Sequence, residues 1–179
     1  AFFLYMREFL VTYYFFFTKN SSADELIWLL YINGYKTTEI GKNFGTIELQ
    51  VNDNSIHITT YRKDTYETSS RKPSIESAPD LNTDLSRRDF TINSIAYSIN
   101  KNELLDPFFG LKDLAQGIIK TPDDPVISFS DDPLRMLRAV RFAAKLNFQV
   151  ASNILDSIAR MSKRLEIISW ERITEEVIK

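Results

Sequence analysis

Two short stretches concentrate residues able to recognise a nucleotide. The first is Asp132-Pro133-Leu134-Arg135-Met136-Leu137-Arg138-Ala139-Val140-Arg141. Residues three apart on a helix are neighbours, so Asp132 and Arg135 point the same way from a first helical turn. A carboxylate only accepts hydrogen bonds and a guanidinium only donates them. The pairing edges of cytosine and adenine each set an amino donor beside a ring-nitrogen acceptor, whereas uracil and guanine present a ring N–H there. An Asp/Arg pair therefore matches C and A and mismatches U and G, by the logic of groove readout. Arg138 and Arg141 continue the stripe, drifting about 60° per step at ~3.6 residues per turn. Their planar forks suit phosphate oxygens. The plainer alternative is a solvated helix face with capping acids and i,i+3 ion pairs.

The second stretch is Arg87-Arg88-Asp89-Phe90-Thr91-Ile92-Asn93. Two arginines, an acid and an amide within two turns at a helix start can grip a triphosphate and a ribose hydroxyl. Here the alternative is a capped amphipathic helix with surface charges. The lone His57 reads best as a strand residue facing solvent or a neighbour.

The elements that must position these residues follow from periodicity. Residues 20–34 read as a helix capped by Ser21 or Ser22, with Asp24 and Glu25 in its first turn and Gly34 after its end. Ile47, Leu49 and Val51 alternate with polar residues, Asn52-Asp53-Asn54 supplies a turn, and Ile56 and Ile58 resume the alternation: a hairpin. From Arg62 to about Asn82 the pattern dissolves into a long polar loop. Residues 84–99 regain helical spacing, with Leu85, Ile92, Ile95, Ala96 and Ile99 on one side. ELLDPFFG reads as a short strand ending in a turn. A further helix opens at SDDPLRMLRAVRFAAKL, with Pro133 suited to its first position and Asp131 and Asp132 at the positive end of its dipole. Two more helical stretches lie at about 152–162 and 169–179. The order is an α+β head followed by the start of an all-α region.

Composition bounds the rest. The 179 residues are 44% hydrophobic, enough for a packed core, and carry no cysteine, one histidine and a net charge of −2. Disulfide frameworks, thiolate zinc sites and cysteine nucleophiles are thereby removed, and basic recognition has to be local. Nine of the 23 aromatic residues fall within residues 1–17. Arg7 and Glu8 interrupt that run, so it does not read as a membrane span. It lacks the pattern of a secretory signal as well, which together point to a cytoplasmic protein. The bland reading of this run is a buried strand or helix of the core.

Taken in order, DLSRRDFTINSIAY, LLDPFFGLKDLAQGIIKT, SDDPLRMLRAVRFAAKLNF and ISWERITEE resemble successive motifs of the CCA-adding tRNA nucleotidyltransferases, in the group that includes bacterial poly(A) polymerase. The resemblance runs from about Lys42 to Lys179 with ordinary spacings, and RRDFTIN is its most specific part. It implies a polymerase-β-like nucleotidyltransferase head with a short mixed sheet over residues 1–125, then the start of a helical neck over 126–179. It also implies addition of C and A from CTP and ATP to tRNA 3′ ends, using magnesium (Mg2+) and no nucleic-acid template, or poly(A) synthesis. By the resemblance Arg88 would contact the nucleotide's phosphates, Asp89 its ribose, and Asn93 the shape of that pocket. Asp132 and Arg135 would serve as the protein template for the base, with Arg138 and Arg141 completing the site. The segment at about 62–82 would be the element that helps the site switch between C and A.

The departures are local. Asp131 stands where the family more often has Glu, and Phe109-Gly110 where many members have Gly-Gly. Two-metal transfer needs acids to hold the ions, and the family places an Asp-x-Asp pair that should fall at Tyr14 and Phe16. No carboxylate occurs from Phe9 to Asn20, and His57 stands where the family commonly carries an acid. Acids elsewhere in the chain that could serve are Glu8, Glu48 and Asp64. If none does, the chain is a nucleotide- and RNA-binding remnant without transfer, and the aromatic opening marks a damaged or frameshifted start.

Overall fold

The computed structural model describes residues 3–7, 13–18, 22–38, 46–51, 54–65 and 74–179. By compactness the chain divides into two units, one drawn from 1–63, 75–84 and 95–105 and the other from 64–74, 85–94 and 106–179.

The first unit is built on one seven-stranded sheet. In chain order its strands are β1 (Phe3–Arg7), β2 (Tyr13–Thr18), β3 (Thr37–Thr38), β4 (Thr46–Val51), β5 (Asn54–Thr60), β8 (Ala96–Ser98) and β9 (Glu103–Leu105). They lie side by side as β3-β4-β5-β2-β1-β8-β9. Only the central β2–β5 pair is parallel, and all other neighbours are antiparallel, so the sheet is mixed. The β4–β5 hairpin follows the alternation read from the sequence; of its expected turn, Asn52 and Asp53 lie outside the described residues. Helix α1 (Ala23–Ile32) starts at Ser22, whose hydroxyl accepts from the Glu25 N–H while the Glu25 carboxylate accepts from the Ser22 N–H. This capping box satisfies two otherwise orphaned donors. Leu26 of α1 packs with Ile47, Leu49 and Ile58 of the hairpin. Among the strands, the aromatic opening forms β1 and β2, paired from Phe3 with Phe17 to Arg7 with Tyr13.

Two expectations are corrected next to the sheet. The polar stretch after Arg62 is not one loop: Arg62–Thr65 (β6) pairs with Ser74–Ser77 (β7) as a two-stranded ribbon. Residues 84–99 are not one helix either. They comprise the end of α2 (Leu81–Ser86), a 3-10 turn at Thr91–Asn93, and β8. Tertiary bonding wins over helical spacing here. The buried Ser94 hydroxyl donates to the carbonyls of Leu85 and Phe90, and the Thr91 N–H donates to the Lys120 carbonyl at 2.8 Å.

The second unit holds the helices α3 (Gly110–Gln116), α4 (Pro125–Asp131), α5 (Leu134–Leu146), α6 (Ser152–Met161) and α7 (Trp170–Ile178), with the short parallel pair β10 (Ile118–Ile119) and β11 (Gln149–Val150). Its core is Phe90, Ile119, Phe129, Met136, Ala139, Phe142 and Ile154, all buried. Burial of each large apolar side chain in this set contributes roughly 1.5–3 kcal/mol. Asp106 caps α3 by accepting from the N–H groups of Gly110 and Leu111 at 2.7 and 2.9 Å. The preceding Phe109 is left-handed at φ 60°, and its side chain is 70% exposed. A side chain in that conformation costs about 1–2 kcal/mol that glycine does not incur. Phe109→Gly is therefore expected to raise stability by about 1 kcal/mol, read as a higher denaturation midpoint at unchanged slope.

The helix boundary at Pro133 differs by one residue from the sequence reading. Asp131 is the last residue of α4, and Asp132 is an extended link (φ −138°, ψ 102°) between α4 and α5. Pro133 precedes the first residue of α5 rather than being that residue.

Candidate nucleotide-binding site

All seven sequence-predicted recognition residues, Arg88, Asp89, Asn93, Asp132, Arg135, Arg138 and Arg141, fall in the second unit. Because residues 84–99 break after α2, Arg88 and Asp89 sit in the turn between a helix end and the 3-10 turn, not at a helix start. The Arg88 N–H closes α2 on the Leu85 carbonyl at 3.2 Å. Phe90, anchored in the core, fixes where this turn lies.

Asp89 is the hub of the turn. Its Oδ1 accepts from the Phe90 N–H and the Asn93 amide, at 2.9 and 3.0 Å. Its Oδ2 accepts from Arg138 Nε at 2.8 Å and from Arg138 Nη2. Four donors on one carboxylate use essentially all of its lone-pair sites. Burial pushes this carboxyl up, yet the Arg138 charge and hydrogen bonds outweigh it and hold Asp89 below the usual carboxylate range. A depressed folded-state value means stabilisation that is complete above the unfolded value of about 3.9 and is lost as pH falls through the folded value. Asp89→Asn is expected to lower stability at neutral pH and to converge with wild type in strong acid. Denaturant melts from pH 7 down to 2 check this.

Arg138 and Arg141 are held from the other side by Glu176 of α7. Arg141 Nε donates to Glu176 Oε2 at 2.7 Å, and Arg138 Nη1 lies 3.5 Å from Oε1. The side chains of Arg141 and Glu176 are only 6% and 5% exposed. The Arg138 and Arg141 guanidinium groups also sit 5.3 and 4.5 Å, respectively, from the centroid of Phe142, itself edge-on to Phe90. The stripe predicted to face phosphates is thus engaged within the unit by acids and an aromatic ring. Glu176 was not among the expected site residues.

Arg135 is buried, at 8% exposure. Its Nη1 donates to Ser128 Oγ at 2.8 Å and its Nη2 to the Arg87 carbonyl at 2.6 Å. Two of five guanidinium donors are used in this way, and three remain. Asp132 lies on the preceding link, half-buried, with Oδ1 accepting from the Leu134 N–H at 3.1 Å. The helix start at Leu134 thus anchors one carboxylate oxygen of Asp132. The acceptor and donor that the sequence placed together are both fixed on this α4–α5 corner.

The described residues do not fit a two-metal centre. β2, which the resemblance makes the acid-bearing strand, runs parallel to β5 with Tyr14 opposite Ile56, Phe15 opposite His57 and Phe16 opposite Ile58. The positions expected to bear the acids, Tyr14 and Phe16, lie on this strand beside Tyr13, Phe15 and Phe17. No carboxylate stands at any of them. Glu48 is cross-strand from His57, but its carboxylate accepts from Ser55, Thr38 and Gln50. The Ser55 hydroxyl bond, above all, holds it below the usual carboxylate range. Glu8 and the side chain of Asp64 lie outside the described residues. Among the described residues no three His, Asp or Glu side chains converge as metal ligands. No helix among them is long and apolar enough to cross a membrane.

Comparison with known proteins gives the same reading of the fold. Residues 15–120 match the poly(A) polymerase head domain family. Over 145 residues the chain is 40% identical to a CCA-adding enzyme of Ligilactobacillus salivarius, covering 80% of this chain and 36% of that one. It superposes on a crystal structure of the Bacillus stearothermophilus CCA-adding enzyme in complex with CTP with a TM-score of 0.80 and 30% identity, over 92% of this chain and 38% of that one. A tRNA nucleotidyltransferase complexed with a primer tRNA and an incoming ATP analogue gives 0.77 at 28% identity, over 98% of this chain and 51% of that one. The chain spans about a third of the length of the curated relatives it matches. With a polymerase-β-like head, a mixed sheet and a helical continuation, it belongs to the poly(A) polymerase head domain family of nucleotidyltransferases.

Proposed function

We propose that this chain selects CTP and ATP for template-independent addition of C and A to the 3′ end of tRNA, with Asp132 and Arg135 reading the base. The observation that carries this reading is the immobilised Arg135 guanidinium on the same corner as the half-buried Asp132 carboxylate. Asp132 accepts from the exocyclic amino group of C or A, and Arg135 donates to the adjacent ring nitrogen. Uracil and guanine bring a ring N–H against a group that only donates, which leaves two donors facing each other in a desolvated site. Such a mismatch is worth about 1–3 kcal/mol for a paired contact. Arg88 is proposed to meet the phosphates, while Asp89 orients Arg138 and Asn93 and meets the ribose only by exchanging one of its present donors. Residues 126–179 act as the base-reading neck to a head of residues 1–125.

A second reading, nucleotide binding without transfer, is favoured by the absence of carboxylates from residues 9–20. Magnesium-dependent incorporation of labelled CTP and ATP into tRNA lacking its CCA end separates the two. Incorporation abolished by Asp132→Ala supports addition. Selective nucleotide binding with no incorporation supports the second reading. Long A tracts from ATP alone would instead identify poly(A) synthesis.

A further inference from the structure

The base-reading pair has a common support. Ser128, on α4 and only 4% exposed, receives Arg135 Nη1 on its hydroxyl at 2.8 Å. Its backbone carbonyl receives the Asp132 N–H at 3.2 Å. One residue therefore touches both halves of the reader, the guanidinium through its side chain and the carboxylate-bearing residue through its main chain. The second anchor of Arg135, the Arg87 carbonyl, is backbone and independent of side-chain identity. A guanidinium fixed at one nitrogen pivots in its plane, whereas one fixed at two has a defined direction for its remaining donors. Base discrimination depends on that direction, because a donor aimed at a ring nitrogen must not be free to swing toward a carbonyl oxygen.

We propose that Ser128 is a positioning residue that sets the base choice of the Asp132–Arg135 pair. The inference rests on the base-reading role proposed above. Its signature is selectivity: loss of the hydroxyl leaves Arg135 in place through Arg87 but releases its orientation. Uracil and guanine nucleotides are then admitted while overall nucleotide affinity changes less.

The test is equilibrium binding of CTP, ATP, UTP and GTP to the full chain and to Ser128→Ala and Ser128→Thr. In Ser128→Ala the preference for CTP and ATP over UTP and GTP is expected to fall about tenfold, the scale of a hydrogen bond to a charged group. Ser128→Thr, which keeps the hydroxyl, is expected to retain most of the preference. A wild-type ratio in Ser128→Ala, with or without a lower melting temperature, overturns the proposal. If Ser128→Ala is not recovered folded, the near-isosteric Ser128→Cys is measured against the same criterion. A wild-type chain that binds all four nucleotides equally defeats the base-reading role itself, and this inference with it. Discrimination that survives in Ser128→Ala but collapses in Asp132→Ala defeats this inference alone.

Discussion

Replacing Glu176 by alanine is expected to destabilise the second unit by about 3–5 kcal/mol, the cost of removing one partner from a buried ion pair. The size follows from burial. Glu176 and Arg141 are almost fully shielded, and Arg138 is 15% exposed. Without the carboxylate, the Arg141 cation keeps its desolvation penalty and loses its closest counter-charge. Arg138 retains Asp89, so the damage centres on Arg141 and spreads to the α5–α7 packing. Glu176→Gln keeps the shape and one acceptor, and is expected to cost less than Glu176→Ala. Lys179, 51% exposed and 3.6 Å from Glu176, contributes little because solvent screens it. Chemical denaturation of the three proteins measures the order. Equal stability of Glu176→Ala and wild type would mean that Arg141 is already compensated elsewhere.

The second large effect is on nucleotide recognition. Arg135→Ala is expected to weaken CTP and ATP binding by roughly 10–100-fold, on a scale of about 1–3 kcal/mol for a paired base contact. It also removes the bonds that Arg135 donates to Ser128 Oγ and the Arg87 carbonyl. Arg135→Lys is not a conservative rescue. A single ammonium cannot span Ser128 and Arg87 and still present a planar set of donors to a base. Lysine is therefore expected to restore little selectivity even where it restores fold. Asp132→Ala removes the acceptor proposed to meet the amino group, and is expected to abolish the preference for cytosine over uracil while leaving the proposed phosphate contacts. Competition titrations with the four nucleotides read both. Full selectivity in Arg135→Lys would show that charge alone, not fork geometry, reads the base.

The legible parts of this molecule are those whose stability is local. The Ser22–Glu25 capping box, the alternation of Ile47, Leu49, Ile56 and Ile58, and the apolar spacing after Pro133 each specify an element by themselves. The spacing of Asp132 and Arg135 suggests a shared helical turn, but Asp132 is an extended link outside α5, and both residues are tied to Ser128 instead. Residues 84–99 were misread because Leu85, Ile92, Ile95, Ala96 and Ile99 imitate a helical stripe. The backbone groups of Leu85, Phe90 and Thr91 instead bond to Ser94 and Lys120, partners visible only in three dimensions. Glu176 escaped for a related reason. It differs from its neighbour Glu175 only in facing inward, and the apolar residues that follow it, Val177 and Ile178, are 74% and 78% exposed. Its position three residues after the half-buried Ile173 was the one available signal.

The metal question divides the same way. The absence of carboxylates from residues 9–20 is a fact of sequence, whereas the strand that bears the positions required pairing to identify. Strand β2 carries Tyr14 and Phe16, the positions expected to bear the acids. None of these positions is among the seven residues proposed for nucleotide recognition.

The selection of cytosine and adenine proposed for Arg135 and Asp132 is measured most directly by the affinity of the chain for CTP, ATP, UTP and GTP under one set of conditions. CTP and ATP are expected to bind at least about tenfold more tightly than UTP and GTP, the scale of one mismatched base contact, with the difference lost in Asp132→Ala. Equal affinity for all four, or a preference unchanged by Asp132→Ala, would contradict it.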